Sequence, residues 1–177
     1  MNELIEKAYN LGYEYEKEYR GCAQCTIAAV QDTLNIKNDQ VFKSASGLGA
    51  GCGLLCDGIC GGYSGGIMVM STLFGRRREY FENDEEEKRC AFRMAVSLHE
   101  KFIEKYGTVT CCEIHKKIFG RTYNLLDPEE KDQFNNDGAH ESKCTEVVGT
   151  AASWVTDLIL AEMENRGLIL KELEAMK

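Results

Sequence analysis

The sequence predicts an all-α protein, a single-domain helical bundle over residues 1–177 with a glycine- and cysteine-rich loop between helices. Three observations carry this. Pro128 is the sole proline, alternating runs of β-branched residues are scarce, and apolar side chains recur at helical spacing. With 177 residues and 44% apolar composition, the chain can bury one real core and is too short for two domains of ordinary size.

The elements follow in order. Residues 2–18 put Leu4, Ala8, Leu11 and Tyr15 on one helical face and Glu and Lys on the other. Residues 22–34 make a second helix with Ile27, Val30 and Leu34 inward, and Asp39 suits the N-cap of a short one reaching about Ser46. Glycines crowd the stretch from Gly47 to Gly62 too densely for a regular helix, so it should loop around something. An apolar helix over about 62–74 follows. Charged residues 76–78 and 82–89 then lead into a long amphipathic helix with Ala91, Met94, Ala95, Leu98, Phe102 and Tyr106 inward. Gly107 ends it, and a short helix beginning at Cys111 or Cys112 stops at Gly120. Within a polar stretch read as a surface excursion, residues 121–143, Asp127 and Pro128 supply the N-cap and first position of one more short helix. A last long helix from Cys144 buries Val147, Val148, Ala151, Val155, Leu158 and Ile159 before Gly167 breaks it.

Formal net charge is −8, which would repel phosphates and argues against nucleic acid or an anionic membrane as partner. No run approaches the roughly 18 apolar residues of a membrane span, and the polar start Met1–Lys7 lacks the regions of a signal peptide. A cytoplasmic location is the expectation. In a reducing compartment, nine cysteines point to metal or redox chemistry rather than a disulfide scaffold, and an odd count leaves one thiol over.

Cys22, Cys60, Cys111 and Cys144 fall where helices are predicted to begin. Only the thiolate binds metal, and the positive end of a helix favours it by lowering the pKa from about 8.5. Four cysteines distant in sequence can complete an iron–sulfur site, and the same four suit structural zinc, since an all-sulfur ligand set does not distinguish the metals. Cys22-Ala23-Gln24-Cys25 also matches the C-x-x-C of dithiol oxidoreductases, although no βαβ pattern precedes it.

The motifs come in a fixed order: Gly21-Cys22-Ala23-Gln24, Ser46-Gly47-Leu48-Gly49, Gly58-Ile59-Cys60-Gly61-Gly62-Tyr63-Ser64-Gly65, Gly107-Thr108-Val109-Thr110-Cys111-Cys112-Glu113-Ile114 and Cys144-Thr145-Glu146-Val147-Val148. This ordered set, over roughly residues 10–160, resembles the C_GCAxxG_C_C family of redox-active proteins, a helical domain also found in the split-Soret cytochromes. The resemblance implies a redox role and a non-haem iron–sulfur site on Cys22, Cys60, Cys111 and Cys144, with electrons exchanged with a redox partner protein or a small-molecule substrate. The sequence departs from the family pattern at Gly62, where alanine is usual, and at Cys25, where a small apolar residue is usual.

Cys25, Cys52, Cys56 and Cys112 lie beside the hallmark set and could enlarge the site, hold a second cluster, or serve as small buried hydrophobes. Cys90 reads as core. His115, one turn after Cys111, is a candidate to orient or tune a bound centre, whereas His99 and His140 are expected on the surface and Glu113 is expected to cap its helix. Tyr63 and Ser64 are candidate hydrogen-bond donors to a cluster, with packing as the plainer account. Arg76–Arg78 read as a solvated helix end. Apolar residues of the C-terminal segment give a homodimer as a further expectation.

Overall fold

The computed structural model describes residues 2–176. The helices are α1 (Asn2–Glu18), α2 (Cys22–Leu34), α3 (Asp39–Ser44), α4 (Gly61–Phe74), α5 (Glu85–Tyr106), α6 (Cys111–Phe119), α7 (Pro128–Asn136), α8 (Cys144–Arg166) and α9 (Leu170–Met176). Short 3-10 turns cover Ser46–Leu48 and Arg78–Tyr80, and a π turn over Ala139–Lys143 leads into α8. Among the described residues there is no strand, only an antiparallel bridge between Ile59 and Thr110. None of the described helices is long and apolar enough to cross a membrane.

Helix boundaries follow local chemistry. The Asp127 carboxylate accepts from the backbone N–H groups of Glu129 and Glu130, with Pro128 at the first helical position. Gly107, Gly120 and Gly167 close α5, α6 and α8 in the left-handed conformation. The third helix stops at Ser44, short of the expected Ser46, because the chain tightens there into the 3-10 turn.

The core forms where α1 lies along α8 and where α2 and α4 pack on each other and on α8, with α5 closing the side of α4. Ile27, Val30, Val69, Phe74, Leu98, Phe102, Val155 and Ile159 are all essentially inaccessible. Leu158, expected inside, is only half-buried. The buried stripe of α5 is Cys90, Met94, Leu98, Phe102 and Tyr106, and Ala91 and Ala95 flank it half-exposed. On α1 the buried positions are Ala8, Gly12 and Glu16, so one carboxylate of the expected polar face points inward. Small residues explain this, because a Cβ at Gly12 would sit 3.1 Å from the Gly149 Cα on α8 and hold the helices apart.

Residues 121–143 are not the expected surface excursion. Tyr123, Leu125, Phe134 and Ala139 are buried with Cys56 and Cys111 in a second, smaller cluster. They fold inward because their rings surround His115: its ring centroid lies 5.1 Å from Phe134, 5.5 Å from Phe119 and 6.1 Å from Tyr123. The Tyr13 hydroxyl donates to the Glu141 carbonyl and ties α1 to the π turn.

Candidate metal and redox centre

Cys22, Cys111 and Cys144 are the first residues of α2, α6 and α8, and Cys60 immediately precedes α4. Three local devices bring these helix starts together. The segment before α4 pairs with the segment before α6, since the Cys60 N–H donates to the Val109 carbonyl at 2.8 Å and the Cys111 N–H to the Gly58 carbonyl at 2.9 Å. The Cys112 N–H reaches the Cys56 carbonyl at 2.8 Å, extending the same contact. The third device is the absence of a side chain at Gly61: a Cβ there would lie 2.2 Å from the Cys22 Sγ, so only glycine lets the start of α2 rest against the start of α4.

The glycine-rich loop completes the enclosure in an unusual conformation. Residues 50–54 all have positive φ, among them Ala50 (48°), Cys52 (68°) and Leu54 (68°), and Cys56 follows at 60°. Each non-glycine residue held this way costs about 1–2 kcal/mol, so surrounding contacts must impose the shape. One of them is the Ala50 N–H, which points at the Cys22 Sγ at 3.5 Å.

Cys22, Cys60, Cys111 and Cys144 all line one partly enclosed cavity of about 270 Å³. Its apolar wall includes Ile114, Leu125, Phe134, Val147 and Val148, and Glu16, Arg20, Lys131, His115 and His140 contribute polar groups. His140, expected at the surface, is half-buried here with its Nδ1 3.4 Å from Glu16 Oε1. Glu16 is 3% exposed, and its other oxygen has no hydrogen-bond partner. Sequence alone places neither residue in a site: His140 is expected at the surface and Glu16 on the polar face of its helix. Ala8 and Gly12 are the small residues of that face of α1, but nothing local marks Glu16 itself as buried.

The extra cysteines separate. Cys56 is buried beside Cys111 and His115, and the ligand atoms of these three lie within 4.8 Å of one another. Cys52 is exposed. Cys25 is buried, does not line the cavity, and donates its thiol proton to the Arg20 carbonyl at 3.1 Å. Cys112 is partly exposed, near Glu113. Glu113 pairs with Lys116 at 2.6 Å and caps nothing: Thr110 is the N-cap of α6, without a side-chain cap bond. Tyr63 and Ser64 turn away from the sulfurs, toward the carbonyls of Ala95 and Gly61. His99 is exposed, as expected. Arg77 is tied to Asp84, and Arg76 stacks over Phe81.

Thiol ionisation departs from the helix-terminus expectation. Burial pushes the Cys22 thiol well up, and the nearby Glu16 and Cys60 add to this, while N–H groups of Ala50 and Gly61 oppose it only in part. Burial likewise raises Cys60 to about 11 against hydrogen bonds from the Gly62 and Tyr63 N–H groups. Cys144 is raised by burial and by the Glu16 charge. Desolvation outweighs the helix field because the thiols sit against apolar walls. Cys56 and Cys111 share one proton: the bond from the Cys111 thiol, with His115 beside it, holds Cys56 low, and the same bond holds Cys111 high.

The donor set fits a metal-bound group. Four thiols, of buried Cys60 and Cys111 and half-buried Cys22 and Cys144, open on one cavity, peptide N–H groups already point at the sulfurs of Cys22 and Cys60, and a cation is what their joint ionisation lacks. Fold and site together define a cysteine-rich helical protein whose helix starts converge on one cavity. The chain belongs to the C_GCAxxG_C_C family, described as putative redox-active proteins, whose model matches residues 21–158. No curated protein and no solved structure matches.

Proposed function

We propose that this is an iron–sulfur redox protein whose cluster is held by Cys22, Cys60, Cys111 and Cys144. The observation that carries the reading is their placement: all four line one cavity, yet they form no compact group of the kind that Cys56, Cys111 and His115 make. A single tetrahedral ion with sulfur bonds of about 2.3 Å needs its sulfurs about 3.8 Å apart, so a ring spread round a cavity suits a group of several atoms better than structural zinc. The split-Soret kinship implied by the motif order agrees with electron carriage.

When bound, such a cluster supplies one-electron transfer. The chain's own residues do the rest. The four thiolates bind, and the N–H groups of Ala50, Gly61, Gly62 and Tyr63 stabilise negative charge on sulfur. Ile114, Leu125, Phe134, Val147 and Val148 exclude water from most of the wall. Electrons come from a redox partner protein, and the cavity admits a small-molecule acceptor past Arg20 and Lys131. A dithiol mechanism at Cys22 and Cys25 is less favoured, since the Cys25 thiol donates to the Arg20 carbonyl and does not line the cavity.

Purification without oxygen tests this. Iron and acid-labile sulfide should accompany the chain, with the broad visible absorption of iron–sulfide charge transfer. A colourless protein carrying stoichiometric zinc would overturn the assignment.

A further inference from the structure

We infer that Cys56, Cys111 and His115 form a site for one divalent ion of the zinc class, distinct from the four-thiol ring although it borrows Cys111. All three residues are buried, and their ligand atoms lie within 4.8 Å of one another. His115 Nε2 is 3.6 Å from the Cys111 Sγ and 3.9 Å from the Cys144 Sγ. An ion bound tetrahedrally to nitrogen at about 2.0 Å and to sulfur at about 2.3 Å separates those two atoms by about 3.5 Å. The first of the measured spacings is therefore already that of two ligands on one ion.

The surroundings fix each ligand. Phe119, Tyr123 and Phe134 pack round the imidazole, and Nδ1 is enclosed with no hydrogen-bond partner, which leaves Nε2 as the nitrogen that faces the sulfurs. The Cys56 sulfur is placed by backbone: its N–H donates to the Ala50 carbonyl at 2.9 Å and its carbonyl accepts from Cys112. Its φ of 60° ends the left-handed run of the loop, a conformation that persists only where neighbouring contacts require it. Cys111 comes from the first turn of α6, one turn before His115 on the same helix.

Two thiolates and an imidazole select a borderline-soft ion and disfavour calcium or magnesium, which prefer oxygen. Cys111 and His115 also line the cavity, so the fourth coordination position faces that space. Three protein ligands with one position open is the pattern of a zinc that handles an exchangeable ligand rather than one that only holds a fold. Binding displaces the one proton that Cys56 and Cys111 share, so affinity rises with pH.

The test is a Co(II) titration of reduced, metal-free full-length protein, with Zn(II) as the displacing ion. One Co(II) per chain should bind, with tetrahedral ligand-field bands and sulfur-to-cobalt charge transfer. Cys56→Ser and His115→Gln should each weaken binding at least about tenfold, while Cys52→Ser, which alters an exposed thiol outside both sites, should leave it within about twofold. Far-ultraviolet circular dichroism confirms the helical content of each variant, and His115→Gln serves if Cys56→Ser does not fold. Unchanged affinity in either site variant, or loss in Cys52→Ser, overturns the site. Because the titration uses metal-free protein, its failure leaves the iron and sulfide content of the anaerobic protein, and hence the cluster reading, untouched.

Discussion

Two regions of this molecule bury sulfur, and they treat it in opposite ways. Cys90, on α5, donates its thiol to Glu162 on α8 at 3.2 Å; Arg93 and Arg166 both bind the same carboxylate, at 2.9 and 2.7 Å, and Arg166 also forks onto Glu87. The network is closed, with each charge opposite another. Eighteen residues earlier on α8, roughly 27 Å along its axis, Cys144 joins Cys22, Cys60 and Cys111 around a cavity whose wall holds the Glu16 carboxylate, a charge of the wrong sign to help the Cys144 thiolate. A buried thiol whose partners are all supplied by the protein is part of the core. A set of thiols that burial keeps protonated, with no protein cation to complete their ionisation, is the arrangement that the proposed cluster would turn into ligands.

Serine substitutions probe this contrast most strongly. Cys60→Ser should cut iron per chain at least about tenfold, whereas Cys90→Ser should keep iron content and lower only the unfolding midpoint. Equal iron in both variants would erase the distinction. Next in size is Gly61→Ala, whose methyl would collide with the Cys22 sulfur; urea denaturation should show a loss of about 3 kcal/mol, together with reduced iron uptake. A wild-type midpoint would mean that the close approach of α2 and α4 is not required.

The closed network gives a pH signature. Burial alone would raise the Glu162 carboxyl, but bonds from Arg166, Arg93 and Cys90 win and hold it at about 2, below its ordinary 4.5. A depressed carboxyl contributes stability that is fully present above its unfolded pKa and is lost as pH falls through the folded one. The stability gap between the wild type and Glu162→Gln should therefore be constant above about pH 5 and close as pH drops from 4.5 toward 2. A gap that persists at pH 2 would refute the ion-pair account. The smallest effect belongs to Asp127→Ala, which removes the cap of α7 and should cost about 1 kcal/mol. Since α7 carries Phe134 against His115, its loosening should register in the Co(II) titration before it registers in iron content.

Most of the scaffold was legible because its signals are local. The Asp127-Pro128 start, the glycine stops at 107, 120 and 167, and the stripes of α5 and α8 are written within a few residues of where they act. The four hallmark cysteines were legible as an ordered set, and their shared cavity agrees with that order. What stayed hidden depends on distant packing. Tyr123, Leu125 and Phe134 show no helical period, and what they pack on, Cys56, Cys111, Phe119 and the imidazole of His115, comes from other segments. Glu16 and His140 read as surface residues because nothing in their own segments reveals the helix opposite. The ionisation of the ring thiols was misjudged for a related reason: a helix terminus can be located from sequence, but the apolar walls that strip water from it cannot.

The bridge between Ile59 and Thr110 is slight as secondary structure, but it sits between two of the four hallmark cysteines. Main-chain hydrogen bonds, rather than side-chain rotamers, set the spacing of Cys60 and Cys111, and the Cys112 bond ties Cys56 to the same frame. A framework set in this way changes little when the charge inside it changes by one electron. Low reorganisation on gain or loss of charge is the property the proposed electron carrier would need, and a few peptide groups joining Ile59 to Thr110 and Cys56 to Cys112 are what would supply it.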